Sequence, residues 1–369
     1  MSNTAKELIY LLACAVNGIT PDKERVQAMD LEKLYEFCKW HSLRAIVHTA
    51  LKSAGVTDHE FGQAYNKAVR KNVMLDVERT AISEELEKNG IWYLPLKGSI
   101  LKDLYPENGM REMADNDVLY DSTKQQKVKE LMLNMGYTAE SVGKHHHDTY
   151  MKPPVLNFEL HTVLFGANSG SLYAYYREPK RLMIHDEGKK FGYHMSDEDF
   201  YVYVTAHEYK HFSSGGTGIR SLLDCYVYVK SKGDSLDWNY ITEQCRQMKI
   251  DDFESSRRAL AIKVFSSAEL PELNDAEQAL LEEYIKYGIY GTVENHMAHF
   301  APHRSKAKNI LRNMFPSLEY MKTSVKFVGK CPFLYPLGVV YRWGRVLLIR
   351  RKYLSTILKV MKKNAKEKV

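Results

Sequence analysis

The sequence predicts a mainly helical α+β fold, in which a small mixed sheet lies between N-terminal and C-terminal helical regions. Three observations carry this expectation. Apolar residues recur at three- and four-residue spacing on both flanks. The pattern changes to short β-prone runs between about residues 91 and 170, and Asn or Gly punctuates the changes. At 369 residues and 44% apolar content, the chain is long enough to bury real cores. The same composition excludes wholesale disorder, a fibrous repeat and a polytopic membrane protein.

In chain order, helical spacing marks residues 6–16, 31–40, 43–53 and 59–88, and Asn89-Gly90 stops the last of these. The run 8–16 resembles a secretory apolar segment. Glu7 adjoins it and only Lys6 precedes it, so it reads as a buried first helix. Ile91-Trp92-Tyr93-Leu94-Pro95-Leu96 is β-prone, and Lys97-Gly98-Ser99 opens a helix through Leu104. A strand over 115–120, a helix over 122–135 ended by Gly136, and strands over 137–142, 146–151 and 155–164 complete the mixed unit. Ser196 reads as an N-cap, with Asp197, Glu198 and Asp199 in the first turn, where the helix dipole favours negative charge. Helices follow over 199–212, 220–231, 238–248, 252–265 and 275–287; beyond Ser305, Pro316, Pro332 and Pro336 separate helical stretches. The expected organisation is a helical region over 1–90, an α/β core over 91–195, a helical domain over 196–300 and a basic helical segment over 301–369.

The five cysteines are scattered and form no CxxC pair, which argues against a disulfide framework or a cysteine-zinc site and favours a reducing cytoplasm. No run of about 18 apolar residues suggests a spanning helix. The net charge of +6 is unevenly distributed. From His303 onward, 17 Lys and Arg face only Glu319 and Glu367, a net of +15, so residues 1–302 carry −9. The last stretch, from Arg345 through Lys368, can lie on an anionic membrane or nucleic acid; a solvated terminal helix accounts for the same charge. No obligate protein partner is signalled.

Three motifs in the central unit bear on chemistry. Leu96-Lys97-Gly98-Ser99 follows a strand and opens a helix, a geometry that can receive a phosphate, although Gly-Ser turns also arise for conformational reasons alone. Asp115 and Asp117 are two apart on a strand and so share a face, close enough to hold hard divalent cations; an exposed Asp-Asn-Asp turn is the alternative. In the strand over 155–164, Leu156, Phe158 and Leu160 face one way, while Asn157, Glu159 and His161 face the other. A strand with one wet face would show the same alternation.

In this order, the motifs resemble the polymerase-β-type nucleotidyltransferase superfamily. More closely, the chain resembles a largely uncharacterised bacterial nucleotidyltransferase family with the pattern Lys-Gly, Tyr-Pro, Arg, Asp-x-Asp and Glu-x-His. The matching residues are Lys97-Gly98, Tyr105-Pro106, Arg111, Asp115-Asn116-Asp117 and Glu159-Leu160-His161. The likeness continues through His207, His211, Arg220, Asp224, Phe315-Pro316 and Arg342. Two positions depart from the superfamily pattern: Lys97 stands where many members have a second small residue, and Asn116 replaces an apolar one.

The resemblance implies that the central unit is a nucleotidyltransferase core. It implies transfer of a nucleoside monophosphate from a nucleoside triphosphate such as ATP to a hydroxyl or phosphate acceptor, with pyrophosphate released. Asp115 and Asp117 would hold two Mg²⁺ ions, with Mn²⁺ as a substitute. Glu159 would complete the acceptor-side metal or serve as general base. Gly98 and Ser99 would cradle the β- and γ-phosphates, with Lys97 or Arg111 offsetting the charge of the leaving pyrophosphate. His161 would orient the acceptor or hydrogen-bond Glu159, and His207 and His211 would face the cleft or pack against Arg220 and Asp224. A non-catalytic nucleotide-binding protein of the same fold is one alternative.

A zinc peptidase is another, because His207-Glu208-Tyr209-Lys210-His211 satisfies HExxH on an expected helix. Against it, Ser214 to Gly218 is a Gly-rich turn where a metzincin would carry its third ligand, and Glu243 is the nearest downstream acid in an expected helix. Of His145-His146-His147, alternation leaves at most His145 and His147 on one side, on what reads as a solvated edge strand. Tyr173-Ala174-Tyr175-Tyr176 reads as helix packing.

Overall fold

In the computed structural model, residues 1–143, 146–288, 315, 316, 318, 321, 322 and 325–349 are described. The N-terminal helices are α1 (Asn3–Asn17), α2 (Lys23–Gln27), α3 (Leu31–His41), α4 (Arg44–Ser53) and α5 (His59–Lys88). Residues 8–16 of α1 are all buried, which is why an uninterrupted apolar run stands there. Local chemistry sets the helix starts. Ser2, Asp22, Asp30 and Asp58 accept the N–H of Ala5, Arg25, Lys33 and Phe61, satisfying donors that the first turn leaves free. α1 ends on Gly18 at φ 65°, a left-handed conformation that favours glycine. The five-residue α2 is too short to register as a helical period, and the sequence reading missed it.

The mixed unit forms a five-stranded sheet from β1 (Tyr93–Leu96), β2 (Asn116–Tyr120), β3 (Thr138–Ser141), β4 (His147–Lys152) and β5 (Leu156–His161), in the order β1-β2-β5-β4-β3. β2 and β5 run parallel, and the other neighbours run antiparallel. β4 lies between β3 and β5, so the expected solvated edge strand is an interior one. A short helix α6 (Gly98–Leu101) follows β1, and α7 (Gln125–Asn134) joins β2 to β3. The small α8 (Ser171–Tyr175) places Tyr176 against Phe165, with ring centroids 4.9 Å apart, in keeping with its reading as packing. A two-stranded hairpin of β6 (Ile184–His185) and β7 (Tyr193–His194) was not anticipated, because two-residue strands carry no alternation.

Five helices follow: α9 (Asp197–Gly215), α10 (Ile219–Lys232), α11 (Trp238–Met248), α12 (Asp251–Phe265) and α13 (Asp275–Lys286). Ser196 caps α9 through the Asp199 N–H, and Asn274 with Glu277 forms a capping box on α13. Buried residues of α1, α3 and α4 join those of α9 to α13 in one core, to which the sheet contributes Leu94, Leu96 and Leu119. The opposite sheet face, including Val118, Phe158 and Leu160, packs with Leu75, Ile82 and Leu86 of α5 in a second core. Since Phe61 of α5 belongs to the first core, this one long helix spans both. Among the described residues, no helix is long and apolar enough to cross a membrane. Most of the basic stretch expected at the end, Arg350 through Lys368, lies outside the described residues.

Candidate active site

The sheet register builds the site. Asp117 lies opposite both Leu96 of β1 and Glu159 of β5, and His161 lies opposite His147 of β4. Because paired residues share a face and residues two apart return to it, Asp117, Glu159, His161 and His147 converge on the sheet face turned towards α9. Asp115 stands just before β2. Asn116, between the aspartates, points the other way. Its amide donates to the Leu75 carbonyl at 2.8 Å and accepts from Arg79 at 3.4 Å, fastening β2 to α5. That contact explains a polar residue where the superfamily pattern has an apolar one.

Asp117 is the best-held acid. Lys97 Nζ and His161 Nε2 both reach its Oδ1 at 2.7 Å, and the residue is 6% exposed. Burial alone would raise its pKa, but the two donors overcome that and hold it below the ordinary carboxylate range. Asp115 and Glu159 go the other way. Burial raises both, and the Asp117 charge raises them further. Glu159 has a carboxylate oxygen within 4.8 Å of one of Asp117 and lies 3.8 Å from His161. Lys97 is itself unusual: its φ of 49° is in the left-handed region, a strained backbone for a side-chain-bearing residue, held where its ammonium meets Asp117.

The other expected site residues are placed as follows. Gly98 and Ser99 begin α6, but the Ser99 hydroxyl donates to the Leu96 carbonyl at 2.9 Å and is buried. A Cβ on Gly98 would come within 2.7 Å of Arg111 Nη1 and 2.9 Å of Met113 Cε, so a larger residue there would force one of these side chains to shift. Arg111 forks onto Asp224 of α10, with Nε to Oδ1 at 2.8 Å and Nη2 to Oδ2 at 2.9 Å, and Tyr105 donates to the same Oδ1 at 2.8 Å. Arg220 donates to the Glu112 carbonyl at 3.0 Å. Tyr105, Arg111, Arg220 and Asp224 thus clamp the loop leading into β2 against α10. In this geometry the Arg111 fork holds the wall of the cleft.

α9 supplies the facing wall. His207 feels the charges of Lys97, His211 and Lys210, and burial together with those cations pushes its pKa well below the ordinary range. Lys210 lies near Lys97, Glu159 and Asp117, and its pKa is lowered by burial first and by Lys97 second. Among the described residues Lys210 makes no ion pair, whereas Lys97 and Arg111 do, so it brings an unpaired ammonium to the cleft. The sequence reading passed over Lys210 because HExxH drew attention to its neighbours. The peptidase alternative does not fit. His207 and His211 approach to 3.3 Å, but Glu208 turns into the helical core, paired with Arg257 at 2.6 Å and accepting from Tyr284 at 2.6 Å. The acid that should activate water is therefore sequestered from the two imidazoles.

The donor set suits a divalent cation. Asp117, Glu159 and His161 place one ligating atom each within 4.8 Å of one another, and a dication would relieve the repulsion that lifts Asp115 and Glu159.

Residues 27–266 match a family described as an uncharacterised nucleotidyltransferase. No curated protein and no solved structure matches the chain.

Proposed function

The chain belongs to this uncharacterised nucleotidyltransferase family and transfers a nucleotidyl group, and from that premise we propose that the cleft over β2 and β5 moves a nucleoside monophosphate from a triphosphate, ATP foremost, to a hydroxyl or phosphate acceptor. The observation that carries this reading is the convergence of Asp115, Asp117 and Glu159 on one face, with Lys97 and Lys210 beside them. Asp115, Asp117 and Glu159 are the residues that would hold Mg²⁺, or Mn²⁺ in its place. When bound, two such ions would supply neutralisation of the triphosphate and activation of the attacking hydroxyl.

The chain's own groups account for the rest. Lys97 and His161 fix the Asp117 carboxylate in one orientation, so that it need not reorganise when substrate arrives. Glu159, whose pKa is raised by burial and by the neighbouring acids, is suited to take the proton of the acceptor hydroxyl. Lys210, with no anion of its own, is placed to meet the departing pyrophosphate. The turn at Gly98 and Ser99 sets the floor beneath the phosphates, braced by Arg111.

Calorimetry of nucleoside triphosphate binding, with and without Mg²⁺, tests the reading. Mg²⁺-dependent binding is expected in the wild type and should vanish when both Asp115 and Asp117 are replaced by Ala; binding unchanged by the replacement would refute it.

A further inference from the structure

Beside the carboxylates stands a group of three imidazoles, of which nucleotidyl transfer uses His161 alone. His147 opens β4 opposite His161, and His146 immediately precedes it. His146, His147 and His161 each place a ring nitrogen within 4.8 Å of the other two. His147 Nδ1 and His146 Nε2 are 3.3 Å apart. That is close to the separation of two ligands on one tetrahedral ion with metal–nitrogen bonds of about 2.0–2.1 Å. Glu159 lies between this group and the aspartates: its Oε1 is 3.6 Å from His147 Nε2 and its Oε2 is 3.8 Å from His161 Nε2.

A second, independent observation points to a ligand. His161 is 1% exposed, and its Nδ1 has no hydrogen-bond partner among the described residues. A buried polar atom in that state is costly unless something meets it. The cations Lys97 and Lys210 oppose a dication here, while the carboxylates of Asp115, Asp117 and Glu159 outnumber them.

We propose that His146, His147 and His161, bridged to the aspartates by Glu159, form a nitrogen-rich metal position that takes a borderline transition-metal dication, Zn²⁺ or Co²⁺, in preference to Mg²⁺. The selectivity follows from ligand type: imidazole suits Zn²⁺ and its neighbours, whereas Mg²⁺ demands oxygen. The inference rests on the proposed function in using Glu159 as a ligand of the same cleft. It adds that the two ends of the cleft differ in the metal they prefer.

The test uses full-length protein without an affinity tag, stripped of metal with a chelator and titrated with Co²⁺ while visible absorption is followed. One equivalent is expected to bind with the bands of imidazole-ligated Co²⁺, and millimolar Mg²⁺ should not displace it. His146→Asn and His147→Asn should each weaken binding by about 10- to 100-fold with unchanged far-ultraviolet circular dichroism. Failure of the wild type to bind Co²⁺ stoichiometrically would overturn the inference, as would wild-type affinity in both variants. So would a loss confined to His211→Asn, which would assign the ion to the His207–His211 pair. If the variants misfold, X-ray absorption of one equivalent of Zn²⁺ on the wild type decides the matter: a shell containing three imidazoles supports the site, and a shell of oxygen alone or with two imidazoles refutes it. Pyrophosphate release with Mg²⁺, measured on the same preparation, separates the two readings. Release without Co²⁺ bands removes the imidazole position alone, and bands without release count against nucleotidyl transfer alone.

Discussion

At the residue scale, the site is a set of opposed charges whose members differ in how far each is satisfied. Asp117 is pinned by Lys97 and His161, so Asp117→Asn should act twice. Transfer should fall by about 10³-fold, since charge at the reacting centre is lost. The fold should lose about 3 kcal/mol in chemical denaturation, because Lys97 is left buried without its counter-charge. Lys210 should behave in the opposite way. It makes no ion pair among the described residues and stands beside Lys97, so Lys210→Met should leave the melting temperature unchanged or raise it, while raising KM for the nucleotide about tenfold. A fall in stability with unchanged KM would make Lys210 a structural residue. That Asp117 and Glu159 share a sheet face was legible in the sequence because strand alternation fixes which residues share a face, whereas Asp115 lies just before β2. Lys210 was not legible, because its value comes from what it fails to pair with, and pairing is a tertiary property.

At the element scale, the helices from residue 3 to 286 were largely readable, because caps and 3.6-residue spacing are local features. α2 and the β6–β7 hairpin escaped because they are too short for a period to repeat. β4 was misplaced for a different reason: strand order is set by partners distant in sequence, and a polar run such as His145-His146-His147 reads the same at an edge or beside a wet cleft. Glu208 shows the same limit inside a helix. HExxH fixes spacing, while the burial of Glu208 against Arg257 and Tyr284 depends on α12 and α13. Glu208→Gln should therefore cost about 3–5 kcal/mol of stability, measured by urea unfolding, by stranding Arg257 in the core. Gly98→Ala should cost about 1–3 kcal/mol, since its Cβ must displace Arg111 or Met113.

At the scale of the whole molecule, helices that precede the sheet in sequence and helices that follow it form one core, and His41 marks where they meet. It is fully buried in α3, and its Nδ1 accepts from Ile219 N–H at the start of α10, at 3.4 Å. Burial lowers its pKa from 6.5 to about 4. Between those values the unfolded chain binds a proton that the folded chain refuses, so stability should fall as pH drops through this window, by up to about 1.4 kcal/mol per unit. The contribution should be constant above pH 6.5 and absent from the pH profile of His41→Asn, as unfolding midpoints from pH 4 to 7.5 would reveal. The most direct test of the central claim follows α-labelled nucleoside triphosphate with Mg²⁺, scoring label transferred to an acceptor pool together with pyrophosphate released. Wild-type protein should transfer label, and protein with both Asp115 and Asp117 replaced by Ala should not; transfer persisting in the doubly substituted protein would contradict the account.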